Sequence, residues 1–225
     1  MRALVVLLKK DLLVEFRTKE TLWATIGMAF LFGVVTSLGL NTAFLSPMQV
    51  KSVFPVLLVL NFLFAGILTI SRSFEYEFKQ GALVALISTQ ISPSLVFFTK
   101  FLSNLLVSFL GLAVLYLTNI SLMNIQMVPS HPEILIIMSL LVVGFVALST
   151  LLIPFTLSSQ LRGIMLPLVL LPLLFPLLFG SLELVYVALD GNSIDLTSPW
   201  LSLLIGFDVI YLALGMVLFE QVVTE

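Results

Sequence analysis

This chain reads as an all-α integral membrane protein with six transmembrane helices and an interfacial helix at its N-terminus. Three observations carry that reading. Hydrophobic residues make up 60% of the 225 positions and charged residues only 10%, with a mean hydropathy of +1.21, far from the balance of a water-soluble domain. The apolar residues gather in six runs near the ~20 residues that cross roughly 30 Å of hydrocarbon. The runs are continuous, without the alternation of a barrel wall, and a helix satisfies its own backbone in lipid.

In chain order, residues 1–21 form the interfacial element. Val5, Leu8, Leu12 and Phe16 recur at helical spacing, while Arg2, Lys9, Lys10 and Arg17 gather toward another side, as in a helix lying on a membrane surface. Val6 and Leu13 fall among the cations, and Asp11 and Glu15 form a separate acidic ridge that could pair with another subunit. The charges interrupt any apolar core of a cleavable signal, so the segment is expected to stay on the mature protein. Spans follow near 22–40, 53–70, 101–122, 134–157, 164–180 and 200–219. The fifth is short and carries Pro167, Pro172 and Pro176, each of which removes a backbone donor, so it is expected to bend or to stop short of the far side. After it, 181–199 is the longest and most varied outer segment, with a turn at Asp190-Gly191-Asn192. With no internal repeat or low-complexity tract, one membrane domain accounts for residues 1–225.

Orientation follows from the basic residues. An even number of spans puts both termini on one side, and with that side inside, Arg2, Lys9, Lys10, Arg17, Lys19, Arg72, Lys79, Lys100 and Arg162 are cytoplasmic and only Lys51 is outside. This distribution obeys the positive-inside rule. The expected location is a bacterial inner membrane, multi-pass, with cytoplasmic N- and C-termini.

Several functions are excluded or lack support. A net charge of −2 without basic clusters interleaved with aromatics argues against nucleic acid. No cysteine is present, so the chain's own thiols supply no disulfide, thiolate metal site or haem linkage. There is no G-x-x-x-x-G-K loop and no carboxylate cluster with metal-ligand spacing. The chain therefore reads as a non-catalytic subunit that borrows its energy. The single histidine, His131, lies between Pro129 and Pro132 after the third span. As a functional residue it would be an axial haem or metal ligand, and the plainer reading is a solvated loop residue.

Four features within the chain invite a role. Asp208 falls near the middle of the sixth span, where an acid costs about 2.5 to 3.5 kcal/mol on insertion scales. It is a candidate intramembrane polar site for a cationic or polar substrate or for protons, or else it hydrogen-bonds to Asn61, Asn104 or Asn119 on neighbouring spans. Pro172 and Pro176 share one face of the fifth span as candidate gating residues, although membrane helices also tolerate proline for packing alone. Trp23 and Trp200 need only an interfacial-anchor role. The most specific feature is a charged island between the second and third spans, 71–93 with Lys100 beyond it. Arg72 with Glu75, and Glu75 with Lys79, have the i,i+3 and i,i+4 spacings of a short surface helix, Glu77 adds to its charge, Gly81 can turn the chain, and 82–87 offers an apolar ridge. The alternative is an ordinary solvated loop; the functional reading is a docking element that takes force from a soluble motor.

Lys10-Asp11-Leu12 with Glu15, Arg17 and Glu20, the loop from Arg72 to Gly81 with Lys100, Arg162-Gly163, and Leu170-Leu171-Pro172-Leu173 to Pro176-Leu177-Leu178 together resemble haem exporter protein B, the CcmB-type permeases of bacterial cytochrome c maturation. The resemblance spans almost the whole chain, and the basic-glycine step followed by the two-proline run weighs most. It implies an ABC-2 (type V exporter-like) permease, two copies per complex, paired with a CcmA-type ATP-binding subunit, with Arg72, Glu75, Glu77, Lys79 and Gly81 in the coupling helix. It also implies work beside CcmC- and CcmD-type membrane proteins and a CcmE-type haem chaperone, with haem as the transported ligand and ATP entering through the partner. Arg162 and Gly163 join the prolines as candidate gating or structural residues. The chain departs from the family at Gly81-Ala82-Leu83-Val84, where family members often carry an acid in place of Val84. His131 matches no family motif.

Two readings compete with haem trafficking: an ABC-2 permease for a lipid, polysaccharide or drug, and a scaffold that transmits ATP-driven motion without a substrate path. An intramembrane enzyme built on Asp208 and the outer acids is the remote remainder.

Overall fold

The structure, a computed structural model, describes residues 2–42, 46–79, 92–123, 131–157, 162–191, 195 and 197–224. Among these are seven helices: α1 (Arg2–Thr18), α2 (Glu20–Thr42), α3 (Pro47–Lys79), α4 (Pro93–Met123), α5 (His131–Leu157), α6 (Arg162–Leu189) and α7 (Pro199–Thr224). Six of them, α2 to α7, are long and apolar enough to cross a bilayer. The protein is an all-α, multi-pass membrane protein.

Serine-proline pairs start three of these helices. Ser46, Ser92 and Ser198 precede Pro47, Pro93 and Pro199, and proline suits a first helical position because its missing N–H would have had no partner there. At α3 the cap is reciprocal: the Ser46 backbone N–H donates to Gln49 Oε1 at 2.9 Å, and the Gln49 N–H approaches Ser46 Oγ at 3.4 Å, the arrangement of a capping box. Lys19 makes the joint between α1 and α2 with φ of 56°. A left-handed residue there turns the chain from one helix axis to the next in a single step.

α5 is the centre of the bundle. It is apolar all round, packs against α3, α4, α6 and α7, and buries Ile137, Met138, Leu141, Val142 and Phe145 almost completely. Apolar lipid gives little hydrophobic drive for helices to associate, so close backbone approach and interhelical hydrogen bonds have to hold them. Both are present. A side chain at Gly66 of α3 would come within 2.7 Å of the Phe145 ring, and one at Gly111 of α4 within 2.8 Å of Thr25 Cγ2 on α2. Asn61 donates to Thr36 Oγ1 at 3.1 Å, while Asn119 lies 3.5 Å from the same hydroxyl and donates to the Leu115 carbonyl, tying α2, α3 and α4 together. Asn104 adds a 3.4 Å bond to Thr150 between α4 and α5.

The fifth span is a full one. α6 continues unbroken through Pro167, Pro172 and Pro176 to Leu189, which corrects the expectation that it stops short. Leu166, Leu170, Leu174, Leu177, Ser181, Leu184 and Val185 form its buried stripe, while Pro172 is exposed and Pro176 half-buried. The prolines lie off this buried stripe, Pro172 facing outward and Pro167 and Pro176 at its edge. The outer connection is correspondingly shorter than expected, and Glu183 lies on the helix rather than in a loop.

Candidate functional site

The interfacial helix docks by its acidic ridge. Among the described side chains of α1, Leu7, Asp11 and Glu15 are the buried ones, at 8%, 4% and 8% exposure, while Val5, Val6 and Leu13 are exposed. Asp11 Oδ1 meets Lys100 Nζ of α4 at 3.1 Å, and both side chains are at least nine-tenths buried; Lys10 approaches the same oxygen at 3.4 Å from the exposed side. The contact is an ion pair rather than an aligned hydrogen bond. The ridge expected to reach another subunit therefore faces this chain's own third span. The physical reason is that a lysine just inside α4 must be neutralised once its ammonium leaves water. Val6 and Leu13, out of place for a surface helix, share the outward side with the exposed Lys9 and Arg17, whose long stems can lie over apolar surface while their heads reach water.

The charged island begins as a continuation of α3. The candidate span ends at Ser71, yet the helix runs on to Lys79, so Arg72, Glu75, Glu77 and Lys79 extend the second span instead of forming a separate surface helix. At 1.5 Å per residue, 33 residues make a rod of about 50 Å, longer than the ~30 Å hydrocarbon layer. Gly81, Val84 and the ridge 82–87 lie outside the described residues. Arg162 and Gly163 open α6.

Asp208 of α7 is 5% exposed, and its carboxylate packs into the space left by the absent side chain of Gly144 on α5, next to Leu177 of α6. It approaches the Gly144 amide, yet neither carboxylate oxygen makes a hydrogen bond of good geometry. The expected partners Asn61, Asn104 and Asn119 are committed to Thr36, Thr150 and the Leu115 carbonyl instead. One turn along, the buried Tyr211 donates its hydroxyl hydrogen to the Leu173 carbonyl. Leu173 lies three residues before Pro176; the carbonyl that loses its ladder donor to that proline is the one before it, at Pro172, so the Tyr211 bond adds a second donor to the Leu173 carbonyl within the proline run. Asp208 and the two-proline run, far apart in sequence, thus form one locus where α5, α6 and α7 meet.

A family model described as CcmB protein matches residues 2–223. The chain belongs to the CcmB family. Members of the CcmB family are haem-export permeases of the ABC transporter class, acting in cytochrome c biogenesis. A comparison with curated proteins finds no match to this chain.

In this CcmB chain the opposite end of the bundle is tied by polar contacts that sequence reading missed. Lys51 pairs with Asp190 at 3.3 Å, and Tyr186 donates to the Ser52 carbonyl at 2.8 Å, fastening the start of α3 to the end of α6. His131 is not a loop residue: it is the first residue of α5, with Nδ1 2.9 Å from the Tyr116 hydroxyl of α4. Among the described residues no group of three or more His, Asp or Glu is placed to hold a metal ion. The signal for the docked acidic ridge was present as the i,i+4,i+8 spacing of Leu7, Asp11 and Glu15, but only the fold says which helix supplies the lysine.

Proposed function

We propose that this chain is the membrane subunit through which a CcmA-type ATP-binding partner drives haem export or the release of haem-loaded chaperone. The observation that carries the reading is the family match over residues 2–223. Two copies of the chain would work beside CcmC- and CcmD-type membrane proteins and a CcmE-type chaperone, in a bacterial inner membrane with both termini cytoplasmic. The charge distribution supports that orientation. Hydrolysis belongs to the partner, and this chain supplies the contact and the moving helices.

We assign the motor contact to Arg72, Glu75, Glu77 and Lys79 on the extension of α3, with Gly81 ending it. The charge and the helix projecting past the candidate span support the assignment. Reversing Glu75 and Glu77 to Lys is expected to weaken co-purification of the ATPase while leaving membrane insertion intact, and an unchanged yield of complex sinks the assignment. Deleting the gene should abolish c-type cytochromes; normal levels would favour a permease for a lipid, polysaccharide or drug.

A second reading, a scaffold that passes ATP-driven motion to its partners without a substrate path, is supported by the packing around α5, where Gly66 and Gly144 admit neighbouring side chains directly against the backbone. Photo-crosslinking of a haem analogue to α5, α6 or α7 would rule it out.

A further inference from the structure

Where α1 bends into α2, the two helices and α4 enclose a groove of about 500 Å³, inside the range of roughly 300–1,000 Å³ typical of ligand sites. Leu12, Leu22, Trp23 and Ile26 line it from α1 and α2 and Leu106, Val107 and Leu110 from α4, with Glu15 and Lys19 at the elbow between α1 and α2. The groove is open along one side. Its position in the membrane follows from α2: the candidate span begins at Thr21, so Lys19 lies just beyond it while Ile26 lies well inside. Lys19 is thus at the level of the headgroups, and the apolar lining from Leu22 to Ile26 is at the level of the acyl chains.

The chemistry fits an amphiphile with a long apolar body and an anionic head. The Lys19 cation is exposed at the mouth, and Arg17 is exposed two residues earlier, whereas the nearby acids Glu15 and Asp11 are buried at 8% and 4% exposure, Asp11 being held by Lys100 nearer the start of α4. None of the lining residues is His, Met or Tyr, so the groove lacks the usual axial ligands for haem iron. A bilayer, in contrast, presents acyl chains to the open side at high local concentration. We infer that this groove is a binding site for one anionic phospholipid, its acyl chain lying between α2 and α4 and its phosphate drawn to Lys19. The lipid would wedge the α1–α2 elbow against α4, filling apolar space that the protein's own side chains leave open. This site is separate from the α3 extension assigned to the motor and does not depend on that assignment.

Trp23 provides the readout. It lines the groove and is one of two tryptophans, so Trp200→Phe leaves it as the sole reporter. The full-length protein, purified in detergent, is titrated with phosphatidylglycerol or phosphatidylcholine brominated in the acyl chains. Quenching should saturate near one phosphatidylglycerol per chain, with affinity about fivefold above phosphatidylcholine, the scale expected of one lysine near an anionic headgroup. Lys19→Gln should remove most of that preference, and Lys19→Arg should keep it, both with unchanged helix content. Quenching that rises without saturation and equally for both headgroups would overturn the site as mere bulk lipid contact. Haemin that quenches Trp23 at one per chain and is not displaced by phosphatidylglycerol would overturn the lipid in favour of a porphyrin.

Discussion

The Asp11 carboxylate and the Lys100 ammonium lie 3.1 Å apart with both side chains buried, joining the N-terminal helix to the first two turns of α4. Removing one partner takes from the other its closest buried counter-charge, and breaking a buried pair in this way costs about 3–5 kcal/mol. Asp11→Leu and Lys100→Met should therefore each lower thermal stability in detergent sharply. The double variant should recover much of the loss, because an apolar pair has no charge to desolvate. A cycle in which the two losses simply add would show that the charges do not act on each other.

At the α5–α7 crossing, Asp208 occupies the space that a side chain at Gly144 would fill. Gly144→Ala must push Leu177 and Asp208 aside, and overpacking of this kind typically costs about 1–3 kcal/mol. Asp208→Asn keeps the shape and removes an acid that has no ion-pair partner among the described residues, so stability should be equal or higher, whereas Asp208→Lys should not assemble. Thermal unfolding in detergent ranks the three.

The Tyr211 hydroxyl bonds to the Leu173 carbonyl beside Pro176. Tyr211→Phe should cost roughly 1 kcal/mol, in the range of interhelical hydrogen bonds in membranes. In a Pro176→Ala background, which restores a ladder donor to the Pro172 carbonyl and not to Leu173, the same substitution should cost about as much. A clearly smaller loss there would tie the bond to the proline.

Ahead of α7, Asp195 Oδ1 accepts the Thr197 backbone N–H at 3.0 Å. This bond and the Thr197 side chain hold the exposed carboxyl below its ordinary value. A carboxyl whose folded pKa is depressed stabilises the fold above its unfolded pKa, and the contribution is lost as pH falls through the folded one. Amide exchange at Thr197 should therefore accelerate as pH is lowered below 3.8, after correction for intrinsic rates, and Asp195→Asn should abolish that acid dependence.

The spans were legible because twenty apolar residues in a row have one physical explanation. Their ends were less so. Ser181 and Glu183 read as loop residues, but the Ser181 hydroxyl bonds back to the Leu178 carbonyl and Glu183 faces outward, so neither stops α6. The spacings of Arg72, Glu75 and Lys79 indicated a helix correctly, yet nothing local says whether a helix is separate from the one before it. Asp208 was legible as an anomaly and its setting was not, since a glycine on one span and a proline run on another meet it only through the fold. The face of α1 was misjudged for a similar reason: hydrophobicity ranks faces by their preference for lipid, and the deciding partner was a lysine 89 positions away from Asp11.

The continuity of α3 has a mechanical consequence. From Pro55, the one proline inside it, to Lys79 the helix has no break, and Gly66 seats it directly against Phe145 of the central helix. If the proposed motor contact pushes on the tip of α3, the continuous helix offers no hinge at Ser71 to absorb the push, and it would be delivered as a tilt of the whole lever about the Gly66 contact, with an opposed displacement near Pro55.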